Sequence, residues 1–161
     1  MIGSYSIEVN TRLDVRDELL VCRMETGSHS AEWQLRIKDL VLIAEYTTSE
    51  GPYCDDYFLV FWVKEDGKLL KVECSFYAEG MEDALVAIRQ WFGTAIELGL
   101  CASTEWKSRI VWPEQLQGRP YFEFSKVEPA GLLPKLRSLV IGGQLEYRPT
   151  IEVQDYLSRL T

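Results

Sequence analysis

The residues best suited to chemistry gather in one stretch, EYTTSEGPYCDDYFLVFWV, residues 45–63. Asp55 and Asp56 stand side by side there, with Glu45 and Glu50 upstream. Carboxylates sharing a loop can ligate Ca²⁺ or Mg²⁺ through oxygen, or serve as acid and base on one reacting group. Neighbours in an extended segment point to opposite faces, so both Asp side chains reach one ion only where the loop bends. No EF-hand spacing surrounds them. The same stretch carries Tyr46, Tyr53, Tyr57, Phe61 and Trp62. Rings beside carboxylates and a Gly51-Pro52 turn have the composition of a protein contact, with rings supplying area and acids supplying steering. Glu50, Tyr53, Asp55, Asp56 and Tyr57 are therefore the candidate partner-binding set, and Tyr53 is the ring expected to be exposed. The plainer reading is a solvated acidic turn flanking an apolar strand, with Phe61 and Trp62 in the core.

The other candidate lies in TEWKSRIVWPEQLQGRP, residues 104–120, the one basic and aromatic stretch of the chain. Trp106, Arg109 and Arg119 are a candidate anion-binding set, since guanidinium groups grip carboxylate or phosphate and indoles stack on flat ligands. The competing use is internal, in ion pairs with the acidic segment. The single histidine, His29, sits among turn formers in TGSHSAE and reads as a solvated loop residue. No GxSxG elbow positions a serine nucleophile. Cysteines 22, 54, 74 and 101 form no CxxC pair and no zinc-type spacing with His29. They read as reduced, mostly buried thiols. Carboxylates beside Cys54 raise a thiol pKa and work against a reactive thiolate there. No catalytic residue, metal or cofactor is assigned.

Charge ranks these readings. The chain has 161 residues and a net charge of −8. Phosphate backbones repel such a chain, so nucleic acid is not an expected partner. Residues 39–66 hold seven acids against one base, and residues 101–137 hold six bases against four acids. The opening decapeptide MIGSYSIEVN has neither the basic nor the apolar region of a secretory signal. No apolar run is long enough for a membrane span. The expectation is a cytoplasmic protein, a single domain with no membrane association, monomeric or homodimeric.

The elements that must position these residues follow from periodicity. SYSIEVNTRL alternates weakly, and DVRDELLVCRME has no decisive period. WQLRIKDLVLIAEYT alternates, with Trp33, Leu35 and Ile37 on one side and a bend or bulge at Asp39. YFLVFWV, residues 57–63, is apolar on both faces and reads as a central strand. Asp66-Gly67 is a hairpin signal, returning the chain in LLKVECSFYA with Leu70, Val72, Cys74 and Phe76 inward. A helix is predicted over 81–98, with Gly99 as C-cap and Gly93 as an interior weakness. Later, SRIVW, PYFEFSKV and QLEYR read as strands, LLPKLRSLVI as a helix, and TIEVQDYLSRL as a final helix capped by Thr150. The fold expectation is α+β: an antiparallel sheet, with a central hairpin at about 57–77 and two or three helices packed mainly on one face.

Functionally, the acidic segment and the lack of a catalytic constellation point to a small acidic protein-binding protein. Its concrete form is an immunity-type inhibitor that occludes a basic partner surface. The alternatives are a ligand- or metal-binding domain or small enzyme using loop carboxylates with an arginine anion clamp, or a self-associating structural subunit.

Overall fold

The structure, a computed structural model, describes residues 10–49, 55–93, 96–126 and 145–161, with only the backbone described at 124–126 and 145–147. Strands β1 (Asn10–Arg16), β2 (Leu19–Thr26) and β3 (His29–Arg36) form an antiparallel sheet in that order. The segment without a clear period is thus a hairpin, turning at Asp17, whose φ of 55° is left-handed. His29 opens β3 and is exposed.

A short 3-10 turn at Ile37–Asp39 then carries the chain from one sheet to another. Arg36 Nε pairs with Asp39 across that turn at 2.8 Å. The bend predicted at Asp39 is therefore a change of sheet. The second sheet holds β4 (Leu40–Thr47), β5 (Tyr57–Glu65), β6 (Lys68–Ser75) and β7 (Lys107–Trp112), ordered β6-β5-β4-β7 and antiparallel throughout. Asp66 and Gly67 both take positive φ, 48° and 76°, which matches the twist of the two strands they join. A third, two-stranded sheet pairs β8 (Phe122–Lys126) with β9 (Leu145–Pro149).

Among the described residues there are two α-helices, α1 (Met81–Phe92) and α2 (Ile151–Ser158). Helix α1 ends at Gly93, where φ is 62° and the amide donates to Arg89 O at 3.0 Å. The expectation of a helix to residue 98 is corrected accordingly. Gly93 is the terminator, because a left-handed cap satisfies the last carbonyls without a Cβ penalty. Helix α2 starts where predicted, with Thr150 Oγ1 accepting from Val153 N. The predicted helix in LLPKLRSLVI lies outside the described residues.

The α+β expectation, with helices mainly on one face of a single sheet, is overturned. Among the described residues the fold is mostly antiparallel β, in three sheets with short helices. The first face of the four-stranded sheet is covered by the three-stranded sheet together with α1, burying Leu20, Cys22, Leu35, Ile43, Phe61 and Ile88. Its other face buries Leu42, Val60, Ile110 and Tyr121 against Val153 and Leu157 of α2. The helices thus sit on opposite sides. Strand β5 sends Leu59, Phe61 and Val63 to one core and Val60 and Trp62 to the other, which explains a strand with no polar face. Leu70, expected inward, is 46% exposed because β6 is an edge strand. No helix among the described residues is long and apolar enough to cross a membrane.

Candidate functional site

The β5–β6 register determines what meets the Asp55-Asp56 pair. Phe58 pairs with Ser75, so two residues further out Asp56 stands opposite Tyr77. Phe76 N donates to Tyr57 O at 2.9 Å, extending the pairing past the end of β6. The Tyr77 hydroxyl donates to Asp56 Oδ1 at 2.7 Å. This bond, with a smaller contribution from desolvation, pushes the Tyr77 phenol up to about 12. The ring is nonetheless 58% exposed.

Beyond Tyr77 the chain is tied to the first sheet. Glu79 N donates to Thr11 O at 3.0 Å, and Leu13 N donates to Glu79 O at 2.7 Å. Gly80 follows with a φ of 84°, and a Cβ there would stand 2.0 Å from Leu13 O. Only glycine fits this approach. Helix α1 begins at once, with Glu82 and Asp83 in its first turn, where the helix dipole favours anions.

Three segments therefore bring Asp55, Asp56, Glu79, Glu82 and Asp83 to one edge of the molecule around Tyr77. All are exposed except Asp56, which is half-buried. None takes part in an ion pair within 4.0 Å among the described residues. Arg12, whose backbone bridges to Glu79, turns its guanidinium to Asp14 at 3.2 Å. Shallow hollows flank the Tyr77 ring. One, of about 450 Å³, runs along Phe76, Met81, Glu82 and Asp83. The other, of about 210 Å³, is lined by Asn10, Thr11, Asp55 and Glu79. No group of three or more His, Cys, Asp or Glu side chains among the described residues is placed to hold a metal ion.

Of the sequence-predicted set, Asp55 and Asp56 thus belong to an exposed acidic edge. Glu50 and Tyr53 lie outside the described residues. Tyr57 is 2% exposed and cannot meet a partner. Its ring stacks on Phe76, and its hydroxyl donates to Glu45 Oε2. Burial, then the bond to Glu45, raises its pKa. Tyr77, Glu79, Glu82 and Asp83 are not in the sequence-predicted partner-binding set. The signal that finds Tyr77 is the hairpin itself: extending the Asp66-Gly67 register outward sets Tyr77 beside Asp56.

The basic-aromatic candidates do not converge. Arg109 is engaged internally: its Nε donates to Glu45 Oε1 at 2.7 Å, and its Nη2 donates to Glu97 O at 2.5 Å. Glu45 is fully buried and also accepts from Gly99 N at 2.8 Å. A Cβ on Gly99 would stand 2.7 Å from the Arg109 guanidinium carbon. Arg119 is spent elsewhere, on Glu152 of α2 at 2.7 Å. Trp106 Nε1 donates to Ser49 Oγ at 3.1 Å. The two arginines therefore form no clamp.

Trp106 does line a different feature, a cleft of about 510 Å³ that also includes Tyr46, Phe58, Trp62, Lys71 and Glu73. Tyr46 stacks on Phe58 at 5.1 Å, and its hydroxyl donates to Glu73 at 3.2 Å. Lys71 pairs with the same carboxylate at 3.0 Å. Compared with known proteins, the chain matches no family model, no curated protein and no solved structure.

Proposed function

We propose that the protein is a binding protein whose acidic, aromatic edge docks on a basic surface of another protein. The carrying observation is the set of five carboxylates that form no ion pair among the described residues, around the exposed Tyr77 ring. Unneutralised acids gathered on one edge lose free energy through mutual repulsion, and a basic partner would relieve it. Tyr77 supplies the contact area, held in place by Asp56 and by the backbone bonds on either side. An immunity-type inhibitor, blocking a basic active site by occlusion, is the concrete form of this reading. Such a role requires shape and charge and no catalytic residue of its own.

The test is co-purification of the tagged protein from its native lysate at about 50 and about 500 mM salt. Exposed charge contacts weaken as the Debye length contracts over that range. The expected result is a stoichiometric basic protein at low salt, lost at high salt and lost with Asp55→Lys/Glu79→Lys. Recovery of the same protein by wild type and variant alike would count against this edge.

The second reading is ligand binding in the Tyr46–Trp62–Trp106 cleft. The observation favouring it is an aromatic wall bordered by the Lys71–Glu73 pair, which suits a flat polar molecule. Saturable quenching of tryptophan fluorescence by such a ligand, abolished in Tyr46→Ala, would support it. Quenching that persists in Tyr46→Ala would remove it.

A further inference from the structure

Cys22 and Cys74 lie on different sheets, in β2 and β6, yet meet in the first core. Both are buried, and their sulfurs are 4.0 Å apart. Among the described residues no backbone ladder joins these two sheets, since β1-β2-β3 and β6-β5-β4-β7 are separate hydrogen-bonded sets. Within the core the contact is apolar packing plus this thiol pair, and at its margin Arg36 of β3 pairs with Glu65 of β5 at 3.9 Å. The Cys22 thiol donates to Cys74, and the Cys74 thiol donates to Ser75 O at 3.3 Å. A disulfide requires sulfurs about 2.05 Å apart, so closure by about 2 Å completes the bond.

We propose that Cys22 and Cys74 are a modification site: a thiol pair that a peroxide oxidises to a reversible disulfide, stapling the two sheets together. The order of events follows from the hydrogen bond. Once Cys22 gives up its proton, the Cys74 S–H turns from Ser75 O to donate to the Cys22 thiolate, and this bond lowers the Cys22 pKa against the opposing effect of burial. Cys74 is pushed up by the same bond and by burial, so it holds its proton longer. Cys22 therefore attacks first. Its sulfur displaces one peroxide oxygen, forming a sulfenic acid and releasing water once the proton is counted. The Cys74 sulfur then attacks the Cys22 sulfur, a second water leaves, and the S–S bond forms. Two thiols lose two protons and two electrons, and the peroxide O–O bond accepts them. A thiol reductant reverses the step by exchange.

The staple would close a loop spanning β2 to β6, a constraint that stabilises chiefly by restricting the unfolded chain. It stands independently of the partner reading. The experiment uses the whole protein, native and folded, treated with hydrogen peroxide, then alkylated and mapped without reduction. Cys54→Ser/Cys101→Ser serves beside the wild type, so that the pair is read without the remaining thiols. The expected result is a peptide linking Cys22 to Cys74 in both proteins. The urea midpoint rises, equivalent to about a hundredfold in the folding equilibrium, and falls back on adding reductant. No Cys22–Cys74 peptide under native conditions, or a link that forms only in denaturant, would overturn the proposal.

Discussion

Two regions of this protein combine carboxylates with tyrosine, and they differ in everything else. At Glu45 the carboxylate is wholly buried, bonded to Arg109, Tyr57 and the Gly99 amide. At Asp55-Asp56 one carboxylate is exposed and the other half-buried, Asp56 accepts from the Tyr77 hydroxyl, and neither forms an ion pair among the described residues. The two sites are separated by little sequence and both belong to the acidic segment. The first has every strong donor it needs, so its chemistry is exhausted by holding β4 to β7 and to the chain at 97–100. The second has charge left over. Unspent charge on a surface is what a partner can use, and that contrast underlies the functional reading.

The comparison also shows why charge counted along a chain misleads. Asp39 and Glu65 of the acidic segment are offset by Arg36, which belongs to β3, and Glu45 by Arg109 of β7. The edge around Tyr77 recovers acidity from Glu79, Glu82 and Asp83, which lie outside the segment.

The sharpest way to break the contrast is at the buried pair. Arg109→Ala leaves a buried carboxylate without its cation, and the expected cost is about 3–5 kcal/mol in a urea melt. Partner binding by the fraction that stays folded should be unchanged. If Arg109→Ala melts like wild type, the pair is not structural. Next comes Gly80→Ala, which forces a Cβ against Leu13 O at a left-handed position. A loss of about 3 kcal/mol is expected, again from urea midpoints. Unlike Arg109→Ala, this change should also weaken partner binding, because Gly80 seats Glu79 and the start of α1.

On the exposed side the order of effects reverses. Asp55→Asn/Glu79→Gln should alter stability by no more than about 0.5 kcal/mol, as exposed, unpaired groups do. The same change should measurably reduce capture of the low-salt partner. Smallest of all is a titration. Tyr77 should ionise at about 12, and in Asp56→Asn its pKa should fall toward the ordinary phenol value of about 10. The sign follows from linkage: the folded state holds the proton more tightly than the unfolded state. The contribution of this bond is therefore fully present below pH about 10 and lost as pH climbs toward 12. Ultraviolet difference titration of the two proteins reads this directly, and an unshifted Tyr77 in Asp56→Asn would deny the bond.

What was legible in the sequence was local. Asp66-Gly67 specifies its own turn, so the β5–β6 hairpin follows from two residues and the alternation beside them. Thr150 likewise marks α2. The first hairpin was hidden because Asp17 takes a left-handed turn without a glycine to announce it. Apolar spacing continues past Gly93 to Ile96, so periodicity overextends the helix, which ends at the left-handed Gly93. Glu45 and Arg109 are 64 residues apart, and only the β4–β7 pairing aligns them. The acidic edge was half visible. Asp55 and Asp56 drew notice by adjacency, whereas Glu79, Glu82 and Asp83 join them through sheet register and a glycine that admits close approach.

The central claim is that the Tyr77 edge is the contact surface. Its most direct test is the affinity of the basic partner recovered at low salt, titrated calorimetrically into wild type and into Asp55→Lys/Glu79→Lys at one fixed ionic strength. Reversing two contact charges should weaken binding by about a hundredfold while the urea midpoint stays near that of wild type. Equal affinities for the two proteins would contradict the claim and move the search to the aromatic cleft.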